Sequence, residues 1–348
     1  MRFHDEDPDV DALYGDLSAA ELQPLWRQAG LLPRSPRTIA PHVWPWKTVR
    51  PLAERAGELV GIERGGDRRV LALSHPDLGG KPFATPTLWA GIQYLNAHES
   101  APPHRHSPAA LRFVMEGSGV WTLVNGDPVL MEPGDLVLTP SYNWHGHDNP
   151  GDRPMVWFDG LDLPMIQSLD AVFFEEGPDE LEPYAASRQS RSEASYATAG
   201  LVPSGAISSP DTRTHGLASP LLAYRWSATA AALERSLDAA GSDYALMRYT
   251  DPATGADVMP TLRAEILRVR GAGRVPAHRK VGSSVVLAHH GSGTSLIGDV
   301  EVSWTPGDIF VVPSWTAVSH RAEEDSDLFV LSDSPVIEKV GLGRQELV

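Results

Sequence analysis

The sequence of 348 residues contains no cysteine. Disulfide bonds, thiolate metal sites and cysteine nucleophiles are therefore excluded together. No apolar run approaches the roughly 20 residues that a membrane-spanning helix needs. The N-terminal stretch Met-Arg-Phe-His-Asp-Glu-Asp lacks the apolar core of a signal peptide. From these absences we expect a cytoplasmic protein with no membrane partner.

Basic residues are also in short supply, because 29 lysines and arginines face 45 aspartates and glutamates, for a formal net charge of −16. An excess of negative charge disfavours binding to nucleic acid or to an anionic membrane surface. A small molecule is therefore the expected partner. If that molecule is an anion, a local basic pocket must offset its repulsion by the net negative charge of the protein.

Helical patterns are confined mainly to the first part of the chain, residues 1–68, which we predict to be a helical N-terminal segment. One helix is expected from Asp11 to Gly30, with Ser18 and Glu21 as a capping box. A second helix is expected over Val49 to Leu59.

Residues 69–162 have the short apolar runs and Gly/Pro/Asp punctuation of a β domain. Asn125-Gly126 between two such runs is a strong hairpin signal. Evenly spaced short strands favour a sandwich or a barrel. The runs that we predict as strands include Leu111–Met115, Val120–Val124, Asp135–Thr139 and Met155–Phe158.

A polar stretch at 163–220 is predicted to connect this domain to a second β domain at 221–348. The second domain repeats the first with a period of roughly 174 residues, so that two copies of one β unit are indicated. The copies differ where chemistry is expected: His106 aligns with Lys280, and His145 aligns with Val318. We therefore expect a metal site in the first copy and assign none to the histidines of the second, which are His278, His289, His290 and His320.

The metal site is predicted from His104, His106 and His145. Residues i and i+2 of a strand share a face, so an extended 104–106 segment points both imidazoles the same way. A third imidazole from a later strand would complete one face of a metal ion and leave open positions for substrate and oxygen. The alternative is that these are ordinary surface or core histidines.

These residues resemble the two cupin motifs. The first runs from His104-x-His106 to Gly117, with Ala110 in place of the usual glutamate, and the second runs from Gly134 through Pro140 and His145 to Asn149. Together with the strings Pro86–Leu95 and Trp144-His-Gly-His147, the chain resembles the gentisate 1,2-dioxygenase family, which includes salicylate and 1-hydroxy-2-naphthoate dioxygenases. One departure is Tyr142, which occupies a glycine position of the second motif.

The resemblance implies an all-β bicupin, two cupin barrels with a helical N-terminal segment, assembled as a homotetramer. It implies Fe(II) on the three histidines, although imidazole ligation alone also suits Mn and Ni. Both atoms of O2 would enter the product as the ring opens between the carboxyl- and hydroxyl-bearing carbons. The substrate would be gentisate, giving maleylpyruvate, or a related 2-hydroxybenzoate such as salicylate or 1-hydroxy-2-naphthoate.

Two further residues are candidates for catalysis and substrate binding. Arg112 lies an even number of residues after His104 and His106, so it would share their face if the strand is unbroken. Its planar guanidinium would then be available to bind a substrate carboxylate. Its alternative is a buried ion pair with Asp159. His147 would share a face with His145 and hydrogen-bond a substrate oxygen or act as acid or base. Its alternatives are a supporting role behind the metal or exposure to solvent.

Other candidates for the substrate pocket follow from the resemblance. Positions matching Gln93 and Trp89 line the pocket in the family, and strand packing is the alternative for both. Gly91 between them would leave a methyl's volume free for a wider substrate, or would only relieve crowding. Arg68 is a candidate for recognising the acid, although the adjacent Arg69 is equally placed. Asp159 would orient Arg112 or a metal ligand.

A different class of function is a bicupin that is not an oxygenase. It would be an isomerase or decarboxylase that uses Mn or Zn, or a protein that only binds an aromatic acid. The combination of three histidines with Arg112 and Gln93 argues against it. Absence of oxygen uptake with bound metal would favour it.

Overall fold

The computed structural model describes residues 7–28, 31, 39–65, 69–177, 190–203 and 218–348. The chain divides into two units, residues 1–38 and 39–348. The first unit contains helix α1, Pro8–Ala19. The second unit contains the other α-helices and the strands, including helix α2, Trp46–Leu59. Among the described residues, no helix has the length and apolar character needed to cross a membrane.

The first helix differs from its prediction. Helix α1 begins at Pro8 after Asp7, whose side chain accepts the N–H of Asp9, and it ends at Ala19. An aspartate N-cap followed by proline is a stronger start than the predicted capping box. Ser18 lies in the last turn instead, and its carbonyl accepts the N–H of Glu21. The predicted capping box is therefore wrong, and Gly30 lies outside the described residues. Helix α2 covers the second prediction and begins three residues earlier.

Strands are the main regular structure of the second unit, as the sequence predicts. The strands of its first half are β1 Val43–Trp44, β2 Val70–Ala72, β3 Trp89–Leu95, β4 Ser100–His106, β5 Ala110–Glu116, β6 Val120–Val124, β7 Asp127–Met131, β8 Leu136–Thr139, β9 His145–Asp148, β10 Met155–Leu161 and β11 Phe174–Glu176, with helices α3 Leu163–Ser168 and α4 Arg191–Tyr196. The predicted hairpin at Asn125-Gly126 is confirmed, because both residues have the positive φ of a type I′ turn between β6 and β7.

The second half repeats this order of elements. They are β12 Ala223–Tyr224, α5 Trp226–Ala240, β13 Tyr244–Arg248, β14 Arg263–Val269, β15 Arg274–Lys280, β16 Ser284–His290, β17 Gly293–Ile297, β18 Val300–Trp304, β19 Ile309–Val312, β20 Val318–Ala322, β21 Ser326–Ser332, α6 Ser334–Lys339 and β22 Gln345–Leu347.

Each half forms a jelly-roll barrel of two antiparallel sheets. The sheets of the first barrel have the strand orders β12-β8-β5-β10-β3-β2 and β11-β4-β9-β6-β7. Those of the second barrel have the orders β1-β19-β16-β21-β14-β13 and β18-β17-β20-β15-β22. The predicted all-β bicupin architecture is confirmed.

The two barrels exchange their leading segments. Strand β1 pairs with β19 of the second barrel, and β12 pairs with β8 of the first. The backbone N–H of Trp226, at the start of α5, donates 2.8 Å to Asp135 of the first barrel. The sequence repeat therefore extends to the helix that precedes each barrel, which the pattern of residues did not predict. The four-part division of the chain stays a prediction.

One hydrophobic core joins the barrels. Phe113 on β5 stacks on Phe329 on β21, with ring centroids 4.4 Å apart. Leu111 and Phe113 belong to this shared core. Because strand side chains alternate, Arg112 between them points to the other face of its sheet, into the first barrel. Packing between barrels thus directs a charged residue toward the candidate site.

Candidate metal centre

Three histidines converge inside the first barrel. His104 on β4 and His145 on β9 are direct cross-strand partners, and His106 follows two residues along β4. The donor atoms of the three rings all lie within 4.8 Å of one another. Within the described residues this is the one group of three or more histidines and carboxylates close enough to hold a metal ion. The predicted ligand set is therefore brought together by the fold.

Backbone carbonyls fix the tautomer of each ring. The Nδ1 atoms of His104, His106 and His145 lie 3.2, 2.7 and 3.0 Å from the carbonyl oxygens of residues 102, 108 and 143. A carbonyl oxygen only accepts, so Nδ1 carries the proton and Nε2 keeps its lone pair. Burial lowers the pKa of His106 to about 4 and that of His145 well below its ordinary value. His106 and His145 are therefore neutral at pH 7.

The group fits a divalent transition metal. His145 Nε2 is buried and has no hydrogen-bond partner among the described residues. A buried, unpaired lone pair costs free energy unless something binds it. Three neutral nitrogen donors and no carboxylate match the ligands that iron and its neighbours accept from imidazole.

Arg112 lies beside the histidines, buried and partly paired. Its Nε is 3.3 Å from Asp159 Oδ1, and its Nη1 donates to the hydroxyl of Thr139. Burial raises the pKa of Asp159 to about 6, opposed by the Arg112 charge and by a hydrogen bond from the Trp157 indole. The ion pair that was the alternative for Arg112 is present. A guanidinium has five N–H donors, however, and this pair leaves some of them for a ligand.

His147 is also buried, so exposure to solvent is excluded for it. Its Nδ1 lies 2.9 Å from the Thr122 hydroxyl, which in turn is 2.9 Å from the Met131 sulfur. The His147 ring is 5.1 Å from the Trp157 ring and 6.3 Å from the His145 ring. Burial, reinforced by the Arg112 charge, lowers the pKa of His147 well below its ordinary value, so the ring is neutral.

Strand β3 supplies the other predicted pocket residues. Gly91 pairs with Asp159 on β10, which pairs with Arg112 on β5, so the three lie in one row across the sheet. Gln93 is buried and pairs with Trp157, and Trp89 is half-buried at the start of the strand. Cross-strand partners share a face. The row places Gln93, Gly91 and Trp89 on the face that carries Arg112.

Gly91 does not leave free volume. A Cβ there would lie 2.6 Å from Trp89 Cη2, 2.7 Å from Val70 Cγ1 and 3.2 Å from the Leu71 carbonyl oxygen. The expectation of an empty methyl's volume is therefore wrong. The Trp89 indole leans over the glycine and fills that space.

The two neighbouring arginines differ in what the structure describes. Arg68 lies outside the described residues. Arg69 is buried, donates to the carbonyls of Val60 and Tyr94, and pairs with Glu99. The guanidinium of Arg69 is therefore engaged in linking the end of α2, strand β3 and the turn that follows β3.

Three residues near the site were missed from sequence: Thr122, Thr139 and Trp157. Trp157 is two residues before Asp159, so strand alternation from that aspartate would have found it. Thr139 and Thr122 lie beside the site only because of how the strands pair, and the residues next to them in the sequence do not indicate that pairing. Tyr142 adopts φ +62° in the turn where the motif has glycine. Its N–H still bonds the His106 carbonyl at 2.8 Å, so the turn is kept.

Two jelly-roll barrels, one of which gathers three histidines from adjacent strands, define a bicupin with one candidate metal centre. The Cupin domain family model matches residues 91–161. A gentisate 1,2-dioxygenase from Streptomyces sp is 47% identical over 96% of this chain and 94% of its own. The chain belongs to the gentisate 1,2-dioxygenase family of ring-cleaving dioxygenases.

Two further relatives act on related acids. A 1-hydroxy-2-naphthoate 1,2-dioxygenase from Nocardioides sp. is 33% identical over 88% of this chain and 78% of its own. The crystal structure of a salicylate 1,2-dioxygenase from Pseudoaminobacter salicylatoxidans, solved as adducts with gentisate, superposes with a TM-score of 0.91. It has 43% identity and covers 99% of this chain and 95% of its own.

Proposed function

We propose that this chain uses Fe(II) and O2 to cleave the ring of gentisate, or of a related 2-hydroxybenzoate, between the carboxyl- and hydroxyl-bearing carbons. The observation that carries the proposal is the meeting of three imidazole donors with a buried guanidinium inside one barrel. An ortho-hydroxy acid has a carboxylate for the guanidinium and adjacent oxygens for a metal. Gentisate would yield maleylpyruvate, with both oxygen atoms retained.

His104, His106 and His145 would hold the iron. Bound Fe(II) would supply the one-electron chemistry through which triplet dioxygen can react with an aromatic ring. Imidazole ligation also suits Mn and Ni, and the activity of the relatives is what favours iron. An absence of carboxylate ligands leaves the ion its full charge, which favours an anionic substrate.

Arg112 would bind the substrate carboxylate through its remaining N–H groups, while Asp159 and Thr139 hold the guanidinium in place. His147 is neutral and buried, and its Nε2 would exchange a proton with a substrate oxygen. Gln93, Gly91 and Trp89 would shape the wall for the ring. Arg68 is proposed to assist recognition of the acid.

The decisive experiment is oxygen uptake by protein that has been reconstituted anaerobically with Fe(II). Gentisate and salicylate are supplied separately while product absorbance is recorded. Uptake with gentisate alone fixes the reaction, whereas comparable uptake with salicylate defines a broader 2-hydroxybenzoate dioxygenase, and 1-hydroxy-2-naphthoate is the third substrate to try. No uptake, despite one bound iron per chain, would overturn the assignment and favour a bicupin that isomerises, decarboxylates or only binds an aromatic acid.

We also propose a homotetramer in the cytoplasm. The edge strands β7 and β18 end their sheets, and association is one way to protect such edges. Light scattering on the purified protein tests the tetramer directly. A monomer of 37.7 kDa would overturn it.

A further inference from the structure

The second barrel contains a cavity of about 230 Å³ between its two sheets. Its walls are mostly aliphatic, with Leu267, Val286 and Val330 on one sheet and Val318 on the other. A ligand pocket is typically an apolar concavity with a few polar groups that orient the ligand. Because the volume is below the roughly 300 Å³ at which the range for such pockets begins, a single ring is the size that fits.

The polar groups of this cavity differ from those of a metal site. Lys280 and Val318 occupy the positions of His106 and His145, so two of the three ligands are replaced. His320, in contrast, keeps the position of His147, and it lines the cavity. The chamber is therefore mostly apolar, and the charged and imidazole side chains that line it are those of Lys280, Glu265, His278 and His320.

A hydrogen-bond chain fixes which nitrogen of His320 carries the proton. The Trp304 indole, which can only donate, bonds the Ser295 hydroxyl oxygen at 2.9 Å. That hydroxyl lies 2.7 Å from His320 Nδ1, and the described residues offer its hydrogen no other acceptor. Ser295 therefore donates to Nδ1, and the proton of the ring is on Nε2. Burial lowers the pKa of His320 to about 3, so the ring is a neutral N–H donor at pH 7.

Lys280 lies at the outer end of the cavity. It is half-buried, and it also lines an adjoining hollow of about 640 Å³, whereas His320 is buried and lines the inner cavity. The Lys280 ammonium is 3.7 Å from the Glu265 carboxylate, while Arg263 beside it has carboxylates at 2.7 Å from Asp257 and Glu338. Lys280 is thus the more loosely paired of these two cations.

We propose that this cavity binds a small single-ring hydroxy acid. Its carboxylate lies at Lys280 at the outer end, its ring packs against the aliphatic walls, and its hydroxyl oxygen accepts from Nε2 of His320 at the inner end. This ligand matches a chamber that offers a half-buried ammonium, loosely paired with Glu265, and a buried neutral donor. The site is separate from the metal centre and does not depend on the proposed reaction.

The test measures binding of 4-hydroxybenzoate to the full chain by equilibrium dialysis. A para-hydroxy acid has its two oxygen groups at opposite ends of the ring and cannot chelate a metal through adjacent oxygens. The expected result is saturable binding at one site per chain, weakened roughly tenfold or more by Lys280→Met, because a charged hydrogen bond is lost. The neutral analogue 4-hydroxybenzyl alcohol lacks the carboxylate, so it should bind roughly tenfold or more weakly than the acid.

Two further variants locate the site. Val286→Phe fills the cavity and should abolish binding. Loss of binding in two unrelated variants guards against a local folding defect in either one. His106→Ala, at the position equivalent to Lys280 in the first barrel, should leave binding intact. Lys280→Met should retain oxygen uptake with the ring-cleavage substrate. The proposal would be overturned if the native protein showed no saturable binding, or if Lys280→Met or Val286→Phe bound 4-hydroxybenzoate as tightly as the native protein does.

Discussion

The backbone N–H of Trp46 donates a 2.6 Å hydrogen bond to the carboxylate of Asp308, which is 262 residues further along the chain. Its counterpart is the bond from Trp226 to Asp135. Each barrel is therefore closed by the helix that precedes the other one. This exchange makes the second barrel part of the folding unit that holds the metal site.

Asp308→Ala should lower the free energy of unfolding by about 1–3 kcal/mol, because the partly buried hydrogen bonds from the backbone N–H groups of Trp46 and Thr305 lose their acceptor. Urea unfolding followed by circular dichroism measures the change. Asp299→Ala, at an exposed position of the same barrel, is the control and should stay within about 0.5 kcal/mol. Equal effects of the two substitutions would show that the exchanged bond is not important for stability.

His104→Ala should reduce bound iron from one atom per chain to near zero, because two imidazoles hold a divalent ion far less well than three. Metal analysis after reconstitution and desalting gives the stoichiometry. His278→Ala changes the equivalent histidine of the second barrel and should retain the full iron content. An equal loss of iron from both variants would mean that the second barrel also contributes to iron binding, which contradicts the predicted ligand set.

Arg112→Met should destabilise the protein by roughly 3–5 kcal/mol, because Asp159 is left buried without its cation. The double variant Arg112→Met/Asp159→Leu should regain most of that stability but remain roughly 100-fold lower in kcat/KM with gentisate. Thermal unfolding and steady-state oxygen uptake separate the two effects. An active double variant would mean that the pair is structural only.

Gly91→Ala should change the ratio of kcat/KM for salicylate to that for gentisate, because the new methyl must displace the Trp89 ring from the substrate wall. Overpacking should also cost about 1–3 kcal/mol of stability. Gly160→Ala is the matched control, since its methyl would meet Leu331 of the other barrel at 2.4 Å. Gly160→Ala should cost similar stability but leave the ratio of kcat/KM for salicylate to that for gentisate unchanged. If this ratio were the same in both variants, Trp89 would not determine substrate specificity.

Local patterns predicted much of the site. Alternation along β4 placed His104 and His106 on one face, and the spacing to His145 brought the third ring to the neighbouring strand. The Asn125-Gly126 turn was predictable because few residue pairs tolerate positive φ at two successive positions. The parity of Arg112 with the histidines, in contrast, assumed one unbroken strand, which is wrong, because β4 ends at His106 and β5 begins at Ala110 in the other sheet of the barrel. Arg112 faces the site because of the alternation along β5 itself.

Other features had no local signal. Sequence alone misplaced the first helix, because two competing capping sites lay within a dozen residues of each other. It also interpreted Gly91 as a gap, since the direction of the Trp89 indole depends on the opposing strand.

By itself, the sequence determined the elements whose causes lie within a few residues: strand alternation, turn conformation, and the replacement of two ligands by Lys280 and Val318. Tertiary structure alone decided the exchange of β1 and β12 between barrels, the pairing of Arg112 with Asp159, and the cavity beneath His320. The physical reason is that side-chain periodicity is a short-range steric property. Strand pairing and packing, in contrast, depend on contacts between segments that are far apart in the chain.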